Sequence, residues 1–160
     1  MGLNELSGVL WRERQLLELL LFKLEEEQLI LTSGRTQWLG HATREVESVL
    51  DQIREAELGR AVEADDAARQ LGAPEGSSLT VLADAARPPW DDLLKEHHEA
   101  FVALTDQINA LAEGNRELLA TSHRAAQETL MTLQENVQTY DPRGSTTGST
   151  GGSMLLDQAL

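Results

Sequence analysis

Residues 90–140 read WDDLLKEHHEAFVALTDQINALAEGNRELLATSHRAAQETLMTLQENVQTY, and this uninterrupted helical pattern decides the fold. Its first apolar stripe, called the proximal stripe, follows a helical four-three spacing and comprises Trp90, Leu94, Phe101, Leu104, Ile108, Leu111 and Leu118. A second, called the distal stripe, starts out of phase and comprises Ala126, Leu130, Leu133, Val137 and Tyr140. The shift of one residue rotates the apolar face by about 100°. One helix with two faces is predicted to meet two different partners.

The first helix of the chain is predicted from its leucines. Those spaced by seven, together with two at intervening positions, are Leu3, Leu6, Leu10, Leu17, Leu20, Leu24 and Leu31. Glu13 and Glu27 interrupt this heptad seam. Further apolar residues widen the face beyond a two-stranded coiled coil, so we expect at least two neighbouring helices to cover it. Thr32, Ser33 and Gly34 end the pattern and offer capping groups for the next helix.

A second long helix and a short third one are predicted between residues 39 and 89. Apolar residues of the second helix recur with helical spacing from Leu39 to Leu71, and Gly72 is a natural C-terminal cap. Ser77 or Ser78 can cap the short helix that follows, and a pair of prolines ends it. The carboxylates interleaved with the apolar residues of the second helix are expected to form a solvated face.

The fold class predicted from these patterns is all-α. It is an antiparallel helical bundle or coiled coil of three long helices plus one short helix, with a long overhanging last helix and a disordered C-terminal tail. At 1.5 Å per residue the first helix spans roughly 45 Å and the last about 75 Å, so the last would overhang from around residues 120–126. We assign residues 1–140 to the bundle and residues 141–160 to a flexible Gly/Ser/Thr-rich tail with a short apolar end.

Composition narrows the class of protein. The chain has 160 residues, a net charge of −14 and no cysteine. Nucleic acids and anionic membranes require clustered Lys and Arg, so this charge argues against binding either of them. We expect no signal peptide, and the most apolar run is too short to cross a bilayer. These features predict a soluble cytoplasmic protein without disulfides.

The sequence offers no constellation for catalysis, a cofactor or a metal. It lacks a glycine-rich phosphate loop, and none of its four histidines follows a Glu at the spacing used by di-iron bundles. His97 falls on the seam of the last helix and is expected to be a satisfied buried or rim histidine, whereas His98 should be solvated. Asn115 also lies on the seam, where a buried amide typically fixes helix register. We therefore predict a protein that is not an enzyme, with no cofactor and no metal.

The chain resembles the flagellar export chaperones of the FlgN family over roughly residues 3–140. The resemblance rests on the order and spacing of a Leu-rich first helix, Trp38-Leu39, Glu57-x-x-Arg60, Leu71-Gly72, Ser78-Leu79, Pro89-Trp90 and Asn115-x-x-Leu118-Leu119. It implies a cytoplasmic helical protein that binds the C-terminal helical segments of the hook–filament junction proteins FlgK and FlgL before their secretion. It further implies delivery of these clients to the type III export gate, FlhA.

The resemblance also implies where the partners bind. Family members contact their clients through the C-terminal helical region, which contains the distal stripe. The expected client-binding residues are Leu118, Leu119, Ala126, Leu130, Leu133 and Val137. A tyrosine near the end of this helix is associated with docking at the gate, and Tyr140 is the only tyrosine in the chain.

Two alternatives stay open at this point. The chain could be a non-enzymatic helical coiled-coil adaptor, or a structural homo-oligomer in which the distal stripe pairs with its own copy across a two-fold axis. An exposed stripe fits a monomer that awaits cargo and a homodimer equally well.

Overall fold

The computed structural model describes residues 2–139, and every regular element in this range is helical. The four α-helices are α1 (Gly2–Ser33), α2 (Leu39–Leu71), α3 (Leu79–Ala85) and α4 (Trp90–Thr139). A single 3-10 turn, Thr36–Trp38, joins α1 to α2. The prediction of three long helices and one short helix is confirmed.

The three long helices run up, down and up. Short connections make α1 and α2 antiparallel neighbours. Helix α4 runs parallel to α1, because Arg14 contacts His97 and Leu24, farther along α1, contacts Asn115, which is farther along α4. Two neighbours therefore cover the buried leucines of α1, as predicted. The widened part of the face is not covered, since the side chains of Leu19, Phe22 and Leu29 are exposed.

Two apolar clusters form the core between these helices. One joins the start of α1 to the end of α2, to α3 and to the start of α4, and its buried members are Leu6, Leu10, Ala67, Ala68, Leu82, Ala83 and Leu94. The other joins the later part of α1 to the first half of α2, and its buried members are Leu16, Leu20, Leu24, Val49, Ile53 and Ala56. Side chains of the proximal stripe, including Ile108 and Leu111, pack against this second cluster.

The helix ends follow local chemistry, with one correction to the sequence analysis. Gly72 caps α2 in the left-handed conformation, with φ of 72°, and the Ser78 hydroxyl accepts a hydrogen bond from the Val81 amide at the start of α3. The expectation that Thr32 and Ser33 cap the second helix is wrong. Their hydroxyls donate instead to carbonyls of α1 itself, and α2 is entered through the 3-10 turn.

The chain divides into two compact units between Arg116 and Glu117, within α4. All of the core described above belongs to the first unit. Among residues 2–139, no helix is long and apolar enough to cross a membrane. The predicted tail, residues 141–160, lies outside the described residues.

Candidate functional site

The distal part of α4 is a helix without a buried face. Asn115 is the last buried side chain of α4 within the described range, and the side chains of residues 119–129 are all exposed. Among the expected client-binding residues, Leu118 and Leu130 are half-buried, whereas the others are exposed, namely Leu119, Ala126, Leu133 and Val137. The described apolar residues of the distal stripe, from Ala126 to Val137, are therefore available, fully or in part, for contact with another molecule.

The exposed fractions of the larger side chains measure how much apolar surface this segment offers. Leu119 is 38% exposed, Leu133 is 45% exposed and Val137 is 56% exposed. Met131, which the stripe pattern does not include, is 62% exposed. Sequence reasoning missed Met131 because it lies one residue after Leu130, at about 100° around the helix. Its flexible side chain widens the apolar surface and suits a site that adapts to different partners.

Polar residues beside the distal stripe bond within their own helix. The hydroxyls of Thr129 and Thr132 donate to the carbonyls of Ala125 and Glu128 at 2.9 and 3.0 Å. These bonds satisfy the two hydroxyls locally. All of the expected client-binding residues lie on α4, and Leu118 and Leu119 precede the others by about two turns.

A buried polar layer separates the two apolar clusters. Glu13 is buried, and one of its oxygens lies 3.2 Å from Nη1 of Arg60. Burial raises the pKa of the Glu13 carboxyl and Glu57 adds to this rise, while Arg60 opposes it. Glu13, which interrupts the heptad seam of α1, therefore forms an ion pair with Arg60 of α2.

His97 occupies the same region of the bundle and is buried, as predicted. The expectation that it is satisfied is wrong for one ring nitrogen, because the buried Nε2 has no hydrogen-bond partner among the described residues. Its Nδ1 lies 3.4 Å from Nη1 of Arg14, and its ring meets the Trp11 ring edge-on at a centroid distance of 5.0 Å. Burial, assisted by the charge of Arg14, lowers the pKa of the His97 imidazole. The neighbouring His98 is exposed.

A second polar contact lies after Leu24, the last buried leucine of α1. The buried amide Nδ2 of Asn115 donates to the carbonyl of Leu24 at 2.9 Å and to Oε1 of Glu27 at 3.2 Å. The other oxygen of Glu27 accepts from the Thr43 hydroxyl at 3.4 Å. These bonds tie α1 to both α2 and α4 at one height, which is the register role expected of a buried amide.

Neither polar layer is arranged for metal binding. Among residues 2–139, no group of three or more His, Asp or Glu side chains could hold a metal ion. The described surface instead offers exposed apolar side chains on the distal part of α4. Helix-in-groove recognition uses apolar anchors at such helical spacing. Tyr140, the expected gate-docking residue, lies outside the described residues.

One comparison with known proteins gives a match. The family model described as FlgN protein matches residues 1–148. No curated protein and no solved structure matches the sequence.

Proposed function

The chain belongs to the FlgN family of flagellar export chaperones, and from this premise we propose a specific cytoplasmic role. It binds the C-terminal helical segments of the hook–filament junction proteins FlgK and FlgL. It keeps these clients unassembled and delivers them to the export gate. It performs this role by binding alone, without catalysing a reaction.

The observation that carries the proposal is the exposed apolar surface at the end of α4. About half or more of the side-chain surface is exposed at Leu133, Val137 and Met131. No described side chain after Asn115 is buried. A client helix can cover this surface with its own apolar face. The proposed client-binding residues are Leu118, Leu119, Ala126, Leu130, Leu133 and Val137.

The distal stripe alone supports only weak binding. Full burial of a Leu or Val side chain contributes about 1.5–3 kcal/mol. Since Leu133 and Val137 are already about half covered, roughly half of that contribution remains for each. The loss of rigid-body freedom and the ordering of the client oppose it. Useful affinity therefore requires the whole set, including Leu118 and Leu119, and moderate affinity suits a carrier that must release its cargo.

Docking at the gate is the second part of the proposal. We assign it to Tyr140, at the end of the distal stripe, with the cytoplasmic domain of FlhA as partner. A tyrosine combines a large apolar ring with a polar hydroxyl, and such residues often anchor interfaces.

A double substitution in the distal stripe tests client binding. We expect Leu130→Asp with Leu133→Asp to abolish binding of a peptide from the C-terminus of FlgK, because two carboxylates would be placed against the client's apolar face. Isothermal titration calorimetry measures the binding. Circular dichroism should remain helical, since neither leucine belongs to the core clusters.

A matched control has the same charges and spacing on the adjacent face of the helix. Thr129→Asp with Thr132→Asp changes exposed residues and should leave peptide binding within about twofold, an effect typical of surface substitutions. If both double variants bind the peptide like the unchanged protein, the distal stripe is not the client site.

A further inference from the structure

A cleft lies between α2 and α4, on the side where the short helix α3 begins. Its volume is about 630 Å³. We call it the α2–α4 cleft. The lining residues that bear on partner contact are Glu57, Ala61, Ala64, Asp65, Val102 and Asp106, and Arg60 also lines the cleft. All of them belong to the first unit, and none is a residue of the distal stripe.

The walls of the cleft are held by contacts within the fold. Oδ1 of Asp65 accepts a hydrogen bond of 2.8 Å from the amide of Gly76, which fixes the α2–α3 connection against α2. The guanidinium of Arg60 is fixed by Glu13 at 3.2 Å and lies over the ring of Phe101 at 5.9 Å. A site with such fixed walls needs little rearrangement to bind.

Part of the α2 wall of the cleft is made of small residues. Ala61 and Ala64 leave room between α2 and α4, and α3 has only seven residues, from Leu79 to Ala85. The apolar lining on the α4 side includes Val102, which is 49% exposed. From Glu57 to Asp65 the α2 wall spans about 12 Å, the length of roughly two helical turns.

The charges at the rim determine which kind of partner fits. Three carboxylates line the cleft, those of Glu57, Asp65 and Asp106. Among the described residues, no Lys or Arg forms an ion pair with Glu57 or Asp106. Since Arg60 is paired with Glu13, the rim favours a cationic partner.

Charge also argues against two other occupants. A second copy of this chain carries a net charge of −14 and would be repelled. Residues 140–160 contain a single cation, Arg143, and two carboxylates, Asp141 and Asp157. This segment therefore lacks the positive charge that the rim favours.

We propose that the α2–α4 cleft binds a cationic amphipathic helical segment of another protein. Its apolar side chains would cover Ala61, Ala64 and Val102, and its Lys or Arg residues would pair with Glu57 and Asp106. This second surface does not depend on client binding at the distal stripe.

Fluorescence anisotropy of a labelled model peptide tests the proposal on the full chain. The probe is an amphipathic Leu/Lys helix of about 14 residues, or roughly four turns, and the comparison peptide has Glu in place of every Lys. We expect the Leu/Lys peptide to bind and the Leu/Glu peptide not to bind. Binding of both peptides with equal affinity would overturn the proposal.

Two matched pairs of variants distinguish the cleft from general attraction to an acidic protein. Glu57→Gln with Asp106→Asn should weaken binding about three- to tenfold, from two exposed ion pairs. Glu47→Gln with Glu55→Gln makes the same charge change at exposed positions of α2 outside the cleft and should have less than about a twofold effect. Likewise, Val102→Ser should weaken binding, whereas Val62→Ser should not. Equal effects within either pair would overturn the proposal.

The distal-stripe variant separates this proposal from the proposed function. Leu130→Asp with Leu133→Asp should leave binding of the Leu/Lys peptide unchanged. If it abolishes this binding while Val102→Ser does not, the peptide occupies the distal stripe and the cleft proposal fails. If truncation after Thr139 tightens binding, the C-terminal segment occupies the cleft, and the choice of a separate partner is wrong.

Discussion

Two buried carboxylates between the leucines of α1, those of Glu13 and Glu27, connect the three long helices at defined heights. Glu13 pairs with Arg60 of α2, and Glu27 accepts a hydrogen bond from Asn115 of α4. Apolar contacts allow a helix to slide by a turn at modest cost, whereas a buried carboxylate that loses its partner is strongly disfavoured. These residues therefore contribute more to register than to net stability.

Removing the cation from the first of these layers should be costly at neutral pH. We expect Arg60→Met to lower the free energy of unfolding by about 1–3 kcal/mol, below the range for fully buried pairs because Arg60 is partly exposed. The pKa of Glu13 is raised in the folded state, so protonation favours folding, and this contribution is lost as pH rises through the folded-state pKa. Urea unfolding should therefore show a smaller cost of Arg60→Met at acidic pH.

Arg54→Met is the matched control for this prediction. Arg54 is an exposed arginine of the same helix whose ion pair is with Asp51, at 2.8 Å. Its replacement should change stability little, because exposed pairs contribute little. A cost of Arg60→Met that is independent of pH would contradict the role assigned to Glu13.

The sequence could predict these polar residues only in part. Their positions on the seams of α1 and α4 follow from spacing, and the burial of His97 and Asn115 is expected from it. The partners could not be predicted, since Asn115 and Glu27 are 88 residues apart in the chain. Such pairing depends on how the helices are rotated against one another.

Helix boundaries show where local sequence is sufficient and where it is not. Gly72 and Ser78 act as caps because their local chemistry favours this role. The link after α1 differs, since Thr32 and Ser33 bond back to α1 and the 3-10 turn provides the entry to α2. Hydroxyls near a helix end can satisfy either helix, and sequence alone does not choose between them.

Two glycine substitutions should have opposite effects on stability. Gly72→Ala should lower the free energy of unfolding by about 1 kcal/mol, because Gly72 has a φ of 72°. Gly8→Ala should raise it by about 0.5–1 kcal/mol, because Gly8 lies within α1 and a Cβ atom there meets nothing within 4 Å. Thermal and urea unfolding measure both. A loss of stability in both variants would contradict the distinction.

The whole molecule combines a bundle core with two separate exposed surfaces. The core could be predicted from leucine spacing, and the distal stripe from its change of phase. The α2–α4 cleft could not, because it depends on the space left where two alanines of α2 face α4 beside the seven-residue helix α3. Spacing shows which residues face inward but not how much space they leave.

The net charge leads to a prediction about the oligomeric state. We expect sedimentation equilibrium to give the mass of one chain, 17.6 kDa, at low salt, because copies with a charge of −14 repel one another. A mass of two chains that falls to one in the Leu130→Asp, Leu133→Asp variant would contradict this expectation. It would favour the alternative of a homo-oligomer paired through the distal stripe.

Helix α4 is continuous from Trp90 to Thr139, although Asn115 is its last buried side chain in the described part of the chain. Nucleation is the unfavourable step in forming a helix, and each later residue only extends an existing ladder of hydrogen bonds. The packed part of α4 therefore serves as the nucleus from which its exposed part propagates. Helix propensity along residues 117–137 therefore affects client affinity. A substitution there can change how fully this segment is helical before the client binds, without changing any residue in contact with the client.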